Sequence, residues 1–464
     1  MVRAGSSAKI SVLALVLLIT GAIDSIRNLP ATALFGSSLI FFFIVSAIIF
    51  LIPVALISAE LACLWADEEG GVYSWVRHAL GSRSGFFTIW LQWINTIIWY
   101  PSILLFIAGV MAYLIDPALA QNKYYLVTTI LTIFWFLTAL GLKGLRASAF
   151  FASFCAITGL LLPIGFIIIL ALRWLLDGHP VAIDLDLKSL IPHWQEMQSW
   201  ASLTAIMTSF LGMELAAVHV RNIQDPQRNF PKAMFFSVIL ILSTMIFGSL
   251  AIAFVVPQNE INLVAGVMQA FNRFLEAYQL KAFVPWMMLL ILIGTVGSMI
   301  NWIISPARGL LVAASHGFLP RWLYVLNRHG VASRILLLQA VLVTISCSCF
   351  LLFPSVNAIY WWFTDLSTEL YMGMYGLLFI AAWRSKTKFA DRPKAFVIPG
   401  GKVGYYGVCL LGLMGCILTF IVGFFPPEAH MNLGNVHYFR LVFVLGILLL
   451  LLPAFLLIWR NKHH

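Results

Sequence analysis

Runs of about 20 apolar residues recur along this chain, and they constrain its fold more than any other feature. A helix of that length crosses the hydrocarbon core of a bilayer. We therefore predict an all-α integral membrane protein with twelve transmembrane helices. The predicted spans lie at about 10–33, 38–64, 86–115, 124–142, 147–172, 199–219, 233–256, 283–305, 335–353, 356–383, 404–425 and 438–459.

The composition excludes a water-soluble globule. Hydrophobic residues make up 61% of the chain and charged residues only 10%, whereas soluble domains carry about 25% charged residues. The chain has too little polar surface to cover a soluble protein of its length. The bilayer is therefore the expected partner of the whole chain.

The distribution of basic residues predicts the orientation. With twelve spans both termini lie on one side, and the segments on that side hold 21 of the 28 lysines and arginines, against six on the other side. Such an excess marks the cytoplasmic face. It also explains the net charge of +10 without a nucleic-acid partner. A cleaved signal peptide over the first run would reverse this bias, so we expect an uncleaved first helix and cytoplasmic termini.

Two spans are interrupted near the middle by glycine and charged residues. Irregular backbone at membrane depth is tolerated only where protein or a watery cavity satisfies its polar groups. Interrupted segments at matching positions in two halves indicate the binding site of a transporter. The interrupting residues are Gly21, Asp24, Arg27 and Pro30 in the first span and Gly212 and Glu214 in the sixth.

The five-span offset between these interruptions predicts an internal repeat. Repeat 1 covers about 10–176 and repeat 2 about 199–383, in inverted orientation, with helices 11 and 12 appended at about 404–459. No segment resembles an independent soluble domain, so residues 1–464 form one transmembrane domain.

Five carboxylates fall within predicted spans, where an ionised side chain is costly and marks function by default. Glu60, near the end of its helix, is expected to be partly solvated. Asp24 and Arg27 are three residues apart, so they form a buried pair if that segment is helical; the alternative is that they contact substrate or carry protons. Asp365 and Glu369 are four apart on one helical face, so one is expected to be protonated or to pair with Arg27. The fifth carboxylate is Glu214, which directly follows the sixth-span interruption.

Two loops between spans carry an amphipathic pattern. Residues 65–84 place Val72, Trp75 and Val76 at helical spacing, which predicts a short helix against the cytoplasmic face. Residues 258–281 place a stripe from Ile261 to Leu275 on one side of a helix, which predicts a cap on the outer face.

Motifs for other functions are missing from the sequence. The histidines and six cysteines show no metal-ligand spacing, and no nucleotide-binding motif occurs. No nucleophile and base constellation or pore-filter repeat stands out. We therefore expect neither an enzyme nor a cofactor or metal site.

Several motifs resemble the amino acid–polyamine–organocation superfamily. They include SIRNLPATA in the first span, EEGGVYSWVRHALG after the second, SFLGMEL in the sixth and SPARGLLVAASHGFLPRWLYVLN after the eighth. The match in order and spacing covers about residues 10–385. The EEGGVYSWV run and ELYMGMYGLLFIAAWR in the tenth span are most similar to the bacterial glutamate/γ-aminobutyrate antiporter branch.

The resemblance implies a leucine-transporter-like fold in a bacterial inner membrane, with helices 1 and 6 broken. Its members carry amino acids or amines by alternating access, as exchangers or proton-coupled carriers. The substrate carboxylate would then meet the first-helix break, and the α-amino group would meet the sixth. The residues that this implies for substrate binding are Thr20, Gly21, Ala22, Ile23, Asp24, Ser25, Ser209 and Gly212, with Tyr371 and Tyr375 as further candidates.

The coupling and the substrate stay open at this stage. Glu214, Asp365 and Glu369 are the candidates for proton coupling or gating, whereas Thr295 and Ser298 are the candidates for a sodium site. The negative charge of Asp24 in the first break would suit a cationic substrate, so a polyamine or other cationic amine stays open beside an amino acid. A non-transporting sensor on the same fold is the alternative from a different functional class.

Overall fold

The computed structural model describes residues 10–65, 68, 71–144, 149–186, 188–191, 200–215, 223–314, 316–351, 356–389, 396–425 and 436–461. These residues form α-helices joined by short turns, 3₁₀ turns and two π-helical turns. In this part of the chain β-structure is limited to two isolated bridges, Ile10 with Ile223 and Leu326 with Ala332. The all-α prediction is confirmed.

The α-helices are numbered in chain order. The first nine are α1 Val12–Ile23, α2 Leu29–Ala33, α3 Leu39–Ser46, α4 Ile52–Leu64, α5 Val72–Leu80, α6 Ser82–Ile115, α7 Lys123–Leu142, α8 Ala149–Ala156 and α9 Leu162–Leu176. The others are α10 Ala201–Thr208, α11 Pro226–Val255, α12 Gly266–Ala277, α13 Val284–Ala314, α14 Ser333–Ser348, α15 Val356–Lys388, α16 Gly401–Val422 and α17 Val436–Arg460.

Ten segments of the described chain are long and apolar enough to cross a membrane, and they correspond to ten of the twelve predicted spans. The predicted tenth span lies in α15, which has 33 residues but carries the buried carboxyls of Asp365 and Glu369, which lower its mean hydropathy. The predicted sixth span is described only as the short apolar segment Leu203–Leu215; its two ends, 199 and 216–219, lie outside the described residues.

Local sequence explains where several helices begin and bend. Ser11 caps α1 by accepting a hydrogen bond from the amide of Ala14 at 3.2 Å, and Asn122 caps α7 in the same way. Spans 2 and 5 each contain a π-helical turn, Ala47–Leu51 and Ile157–Leu161, with a proline two residues later. Both π-helical turns therefore lie in the N-terminal half of the chain.

A proline inside α13 is compensated by a side chain from α6. Pro306 has no N–H, so the carbonyl of Trp302 four residues earlier loses its helical donor. The hydroxyl of Tyr100 donates to that carbonyl at 2.6 Å. Gln339 of α14 donates to the hydroxyl of Tyr100 and to the carbonyl of Ile303. These bonds tie three spans together at the kink.

The helix α15 lies at the centre of the bundle, packed against α5, α6, α10 and α16. In contrast, α17 leaves most of its apolar side chains exposed, as expected for a helix that faces lipid. The two predicted amphipathic helices are confirmed as α5 and α12. Val72, Trp75 and Val76 are buried, as is the stripe from Ile261 to Leu275.

Candidate functional site

The first span is broken where the sequence predicts, but over fewer residues. The helix α1 ends at Ile23, and Asp24 and Ser25 adopt extended backbone before a 3₁₀ turn leads into α2. The amide of Asp24 still donates to the carbonyl of Thr20 at 2.8 Å. Of the implied stretch Thr20 to Ser25, only its last two residues are therefore unwound.

The sixth span is interrupted directly after α10. Gly212 has a φ of +106°, a conformation that residues with a side chain rarely adopt. A Cβ atom on Gly212 would lie 3.7 Å from Cγ1 of Ile23 and 4.0 Å from the carbonyl oxygen of Ala22. The structure thus brings the two interruptions into contact.

The carboxylate of Glu214 lies next to this contact and accepts hydrogen bonds from three side chains. Its Oε1 accepts from the hydroxyl of Tyr371 at 2.7 Å and from Nε2 of Gln92 at 3.0 Å. Its Oε2 accepts from the hydroxyl of Tyr375, whose oxygen accepts from the amide of Gly212 at 2.8 Å. Glu214 is 1% exposed. We call Gln92, Glu214, Tyr371 and Tyr375 the Glu214 cage.

The cage joins three separate spans. Gln92 comes from α6, Glu214 follows α10, and both tyrosines come from α15. Tyr371 and Tyr375 are four residues apart on one face of their helix, and their rings meet edge to face with centroids 5.2 Å apart. Through these bonds Glu214 is connected to the interruption and to two neighbouring helices.

Asp24 and Arg27 do not form the expected pair, which corrects that prediction. Oδ2 of Asp24 accepts a hydrogen bond from Oγ1 of Thr244 in α11 at 2.5 Å. Arg27 turns to the other side, where Nη1 donates to Ser102 at 3.0 Å and to Tyr360 at 3.4 Å. The extended backbone between them separates the two side chains, because residues three positions apart lie on the same face only in a continuous helix.

Asp365 and Glu369 lie apart from the Glu214 cage. Glu369 and Tyr371 are two residues apart, so their side chains leave α15 on nearly opposite faces. The Oε1 atom of Glu369 lies where a side chain at Gly423, just after α16, would be. Neither oxygen of Glu369, nor Oδ1 of Asp365, has a hydrogen-bond partner among the described residues. Among the described residues neither carboxyl pairs with Arg27, so the other alternative, that one of the two is protonated, stays a prediction.

The remaining candidates have local or packing roles in this conformation. Gly21 packs against Cβ of Ala156 in α8, and the hydroxyl of Ser209 donates to the carbonyl of Ala205 at 3.1 Å. The hydroxyl of Thr20 is fully buried and has no described partner. The hydroxyls of Thr295 and Ser298, the candidates for a sodium site, both donate hydrogen bonds to carbonyls of their own helix.

The match to known proteins identifies the family of the chain. Residues 10–450 match the family model described as amino acid permease. The chain belongs to this family. Its relatives are transporters, not enzymes, and the chain is accordingly a multi-pass membrane transporter of the amino acid–polyamine–organocation superfamily. Family membership implies a small-molecule substrate such as an amino acid or an amine.

Three relatives indicate where in the family the chain lies. It is 38% identical to an uncharacterized transporter from Legionella pneumophila, over 98% of this chain and 97% of the relative. It is 26% identical to a glutamate/γ-aminobutyrate antiporter from Lactococcus lactis, over 97% and 90%. It is 23% identical to a probable agmatine/putrescine antiporter from the same species, over 80% and 78%.

Several site residues of this permease were missed by sequence reasoning. Gln92 carries a signal, because it is a polar residue inside the apolar run IWLQWINTIIWY of the third span. Thr244 and Ser102 carry none, since Ser and Thr hydroxyls in helices usually bond to their own backbone. Tyr360 is one of many aromatic residues in the apolar spans and carries none either. Their roles emerge only once the helices are packed.

Proposed function

We propose that this permease is a secondary active transporter that moves amino acids across the bacterial inner membrane by alternating access. The observation that carries the proposal is the contact between the two helix interruptions, with the buried Glu214 cage beside it. Substrate would bind between the break at 24–25 and the break at 209–212. We call the contact of Gly212 with Ala22 and Ile23 the join. Tyr371 and Tyr375 lie beside it at Glu214, and Ser25 is proposed as a further contact from the first break.

The chemistry of the two breaks suits a zwitterionic substrate. The unwound residues Asp24 and Ser25 precede a new helical segment whose first N–H groups have no intrahelical acceptor, and such groups attract a carboxylate. The turn after α10 ends a helix, where free carbonyls attract an ammonium group. Asp24 does not oppose the carboxylate, because its side chain is directed to Thr244.

Glu214 is the proposed gating and proton-linked group. As a carboxylate it can accept from Gln92 and both tyrosines at once. A proton on either oxygen removes the negative charge and adds an O–H donor among side chains that already donate to the carboxyl. This weakens the hydrogen bonds of the cage, which would free the interruption at Gly212 to move. Asp365 and Glu369 are proposed as a second, separate location for proton coupling.

The proposed architecture has twelve spans arranged as two inverted five-helix repeats plus two helices, with both termini in the cytoplasm. The broken spans 1 and 6, which are five spans apart, support it. The excess of basic residues on one side supports the orientation. Within this architecture, exchange of two amino acids and proton-coupled import are both mechanistically available.

A carrier of polyamines or other cationic amines is the second candidate. It is favoured by the acidic residues Asp24 and Glu214 beside the join, and by the similarity to a probable agmatine/putrescine antiporter. A sensor that binds solute without moving it is the third. All three candidates share the same fold. They differ in which solute is bound and in whether that solute is transported.

Counterflow in proteoliposomes tests the proposal. Vesicles containing the purified full chain are loaded with glutamate, γ-aminobutyrate, arginine, putrescine or leucine, and uptake of each labelled compound is followed with and without a pH gradient. Uptake only into vesicles loaded with an amino acid supports an exchanger, and uptake into empty vesicles driven by the gradient supports a proton-coupled importer. Exchange of putrescine alone supports the amine carrier. Binding without flux would leave the sensor.

A further inference from the structure

Arg27 is a buried cation to which the described residues supply no anionic partner. It is 2% exposed and lies in the 3₁₀ turn Ile26–Asn28, directly after the first-helix break. Within the described part of the chain, its Nε has no hydrogen-bond partner and it forms no ion pair with any carboxylate. A charge at membrane depth normally has a partner or faces a pathway.

The surroundings of Arg27 hold the guanidinium group in place without neutralising it. Nη1 donates to the hydroxyls of Ser102 and Tyr360, and the group lies 5.2 Å from the centre of the Trp99 ring. The hydroxyl of Tyr360 in turn donates to the backbone carbonyl of Arg27 at 3.3 Å. Neutral hydroxyls and an aromatic face orient an arginine but supply no counter-charge.

Arg27 and the Glu214 cage lie at different depths in the bundle. Along α6, Ser102 is ten residues from Gln92, which corresponds to about 15 Å at 1.5 Å per residue. Along α15, Tyr360 is eleven residues from Tyr371, or about 16 Å. Two helices thus give the same separation independently. This separation between backbone positions is longer than a small amino acid.

We propose that Arg27 is a separate carboxylate-binding residue on the pathway, at the end of the bundle where α15 begins. In the proposed orientation this is the outer side. Arg27 receives the carboxylate of an amino acid when that side is open, before the solute reaches the join near Gly212. This inference rests on the proposed transport function and narrows its substrate class to solutes that carry a carboxylate.

The geometry assigns supporting roles to the neighbours of Arg27. A guanidinium group offers two parallel N–H donors that match a carboxylate, and Lys offers only a point charge. Nη1 of Arg27 donates to the hydroxyls of both Ser102 and Tyr360. Nε has no acceptor among the described residues. Ser102 and Tyr360 are positioning residues, since they act on the ligand through Arg27.

The test compares two labelled ligands that differ in the group Arg27 would bind. Equilibrium binding of γ-aminobutyrate and of putrescine to the purified full chain is measured for wild type, Arg27→Gln and Arg27→Lys. Putrescine has a second ammonium group in place of the carboxylate. External KM for γ-aminobutyrate exchange is measured in oriented proteoliposomes. Arg273→Gln is the matched control, because Arg273 is an exposed arginine that pairs with Glu260.

We expect Arg27→Gln to weaken γ-aminobutyrate binding and raise its external KM by about tenfold or more, as for loss of a hydrogen bond to a charged group. Putrescine binding should not weaken, and Arg27→Lys should lie between wild type and Arg27→Gln. Arg273→Gln should behave as wild type. An equal loss for both ligands, or an unchanged affinity for γ-aminobutyrate, would overturn the inference.

The design separates this inference from the proposed function. If wild type binds and exchanges γ-aminobutyrate but Arg27→Gln does so equally well, only the role of Arg27 fails. If wild type neither binds nor transports any of the tested solutes, the proposed transport function is wrong, and the role of Arg27 fails with it. Thermal denaturation of each variant in detergent shows whether Arg27→Gln still folds, and Arg27→Lys provides the comparison if it does not.

Discussion

The amide of Gly212 donates a hydrogen bond of 2.8 Å to the hydroxyl oxygen of Tyr375. Since that hydroxyl donates its own proton to Glu214, one phenol holds both the interruption of the sixth span and the carboxylate beside it. The glycine adopts its positive φ at this point. Movement of the interruption therefore requires the phenol of Tyr375 to move or to lose a partner.

Removing this phenol should cost more than removing its neighbour. Tyr375→Phe leaves the amide of Gly212 without its acceptor and Oε2 of Glu214 without its donor, so we expect a loss of about 1–3 kcal/mol in stability. Tyr371→Phe leaves Oε1 of Glu214 bonded to Gln92 and should cost less. Thermal denaturation midpoints in detergent measure both. A larger loss for Tyr371→Phe would contradict the geometry of the cage.

The pH dependence of transport should depend on Glu214. Glu214→Gln keeps the shape of the side chain but cannot bind or release a proton, so exchange by this variant should be flat between about pH 5 and about pH 8, where the wild-type rate should change. Glu276→Gln, at an exposed carboxylate paired with Lys281, is the control and should follow wild type. The same pH profile in Glu214→Gln and wild type would end the proposed proton role.

The contact between spans 5 and 8 should not tolerate a methyl group. A Cβ on Gly159 would overlap the backbone of Gly294, and a Cβ on Gly294 would overlap that of Gly159. Either alanine variant should lose about 1–3 kcal/mol of stability from overpacking. Gly165→Ala in the same span meets nothing within 4 Å and should be neutral or stabilising. The prediction fails if Gly294→Ala melts no lower than Gly165→Ala.

Glu60 corrects another expectation and supplies a further test. It is 2% exposed and pairs with Lys386 at 2.9 Å. Lys386→Met leaves a buried carboxylate uncompensated and should cost about 3–5 kcal/mol, whereas the double variant with Glu60→Gln should recover most of that loss. Lys281→Met, which breaks the exposed pair with Glu276, should cost about 0–1 kcal/mol. Equal losses at the two sites would contradict a buried pair.

Much of the fold could be predicted from the sequence because a bilayer imposes its length and polarity on each span separately. Ten of the twelve predicted spans coincide with described apolar segments. The interruptions at Asp24 and Gly212 were also predictable, since charged and glycine residues inside apolar runs are local features. The sequence could not give the extent of the first break, because helical hydrogen bonds persist through Thr20 to Ile23.

The partners of the buried charges were decided only by the tertiary structure. Asp24 bonds to a residue 220 positions away, and Arg27 bonds to residues 75 and 333 positions away. Spacing along the chain predicted that these two would pair with each other only if the segment were helical. A two-residue extended break turns their side chains apart, and the surrounding helices then supply other partners. The sequence by itself determined which residues must be buried in the membrane, because hydropathy acts locally. Helix packing determined what each of them contacts.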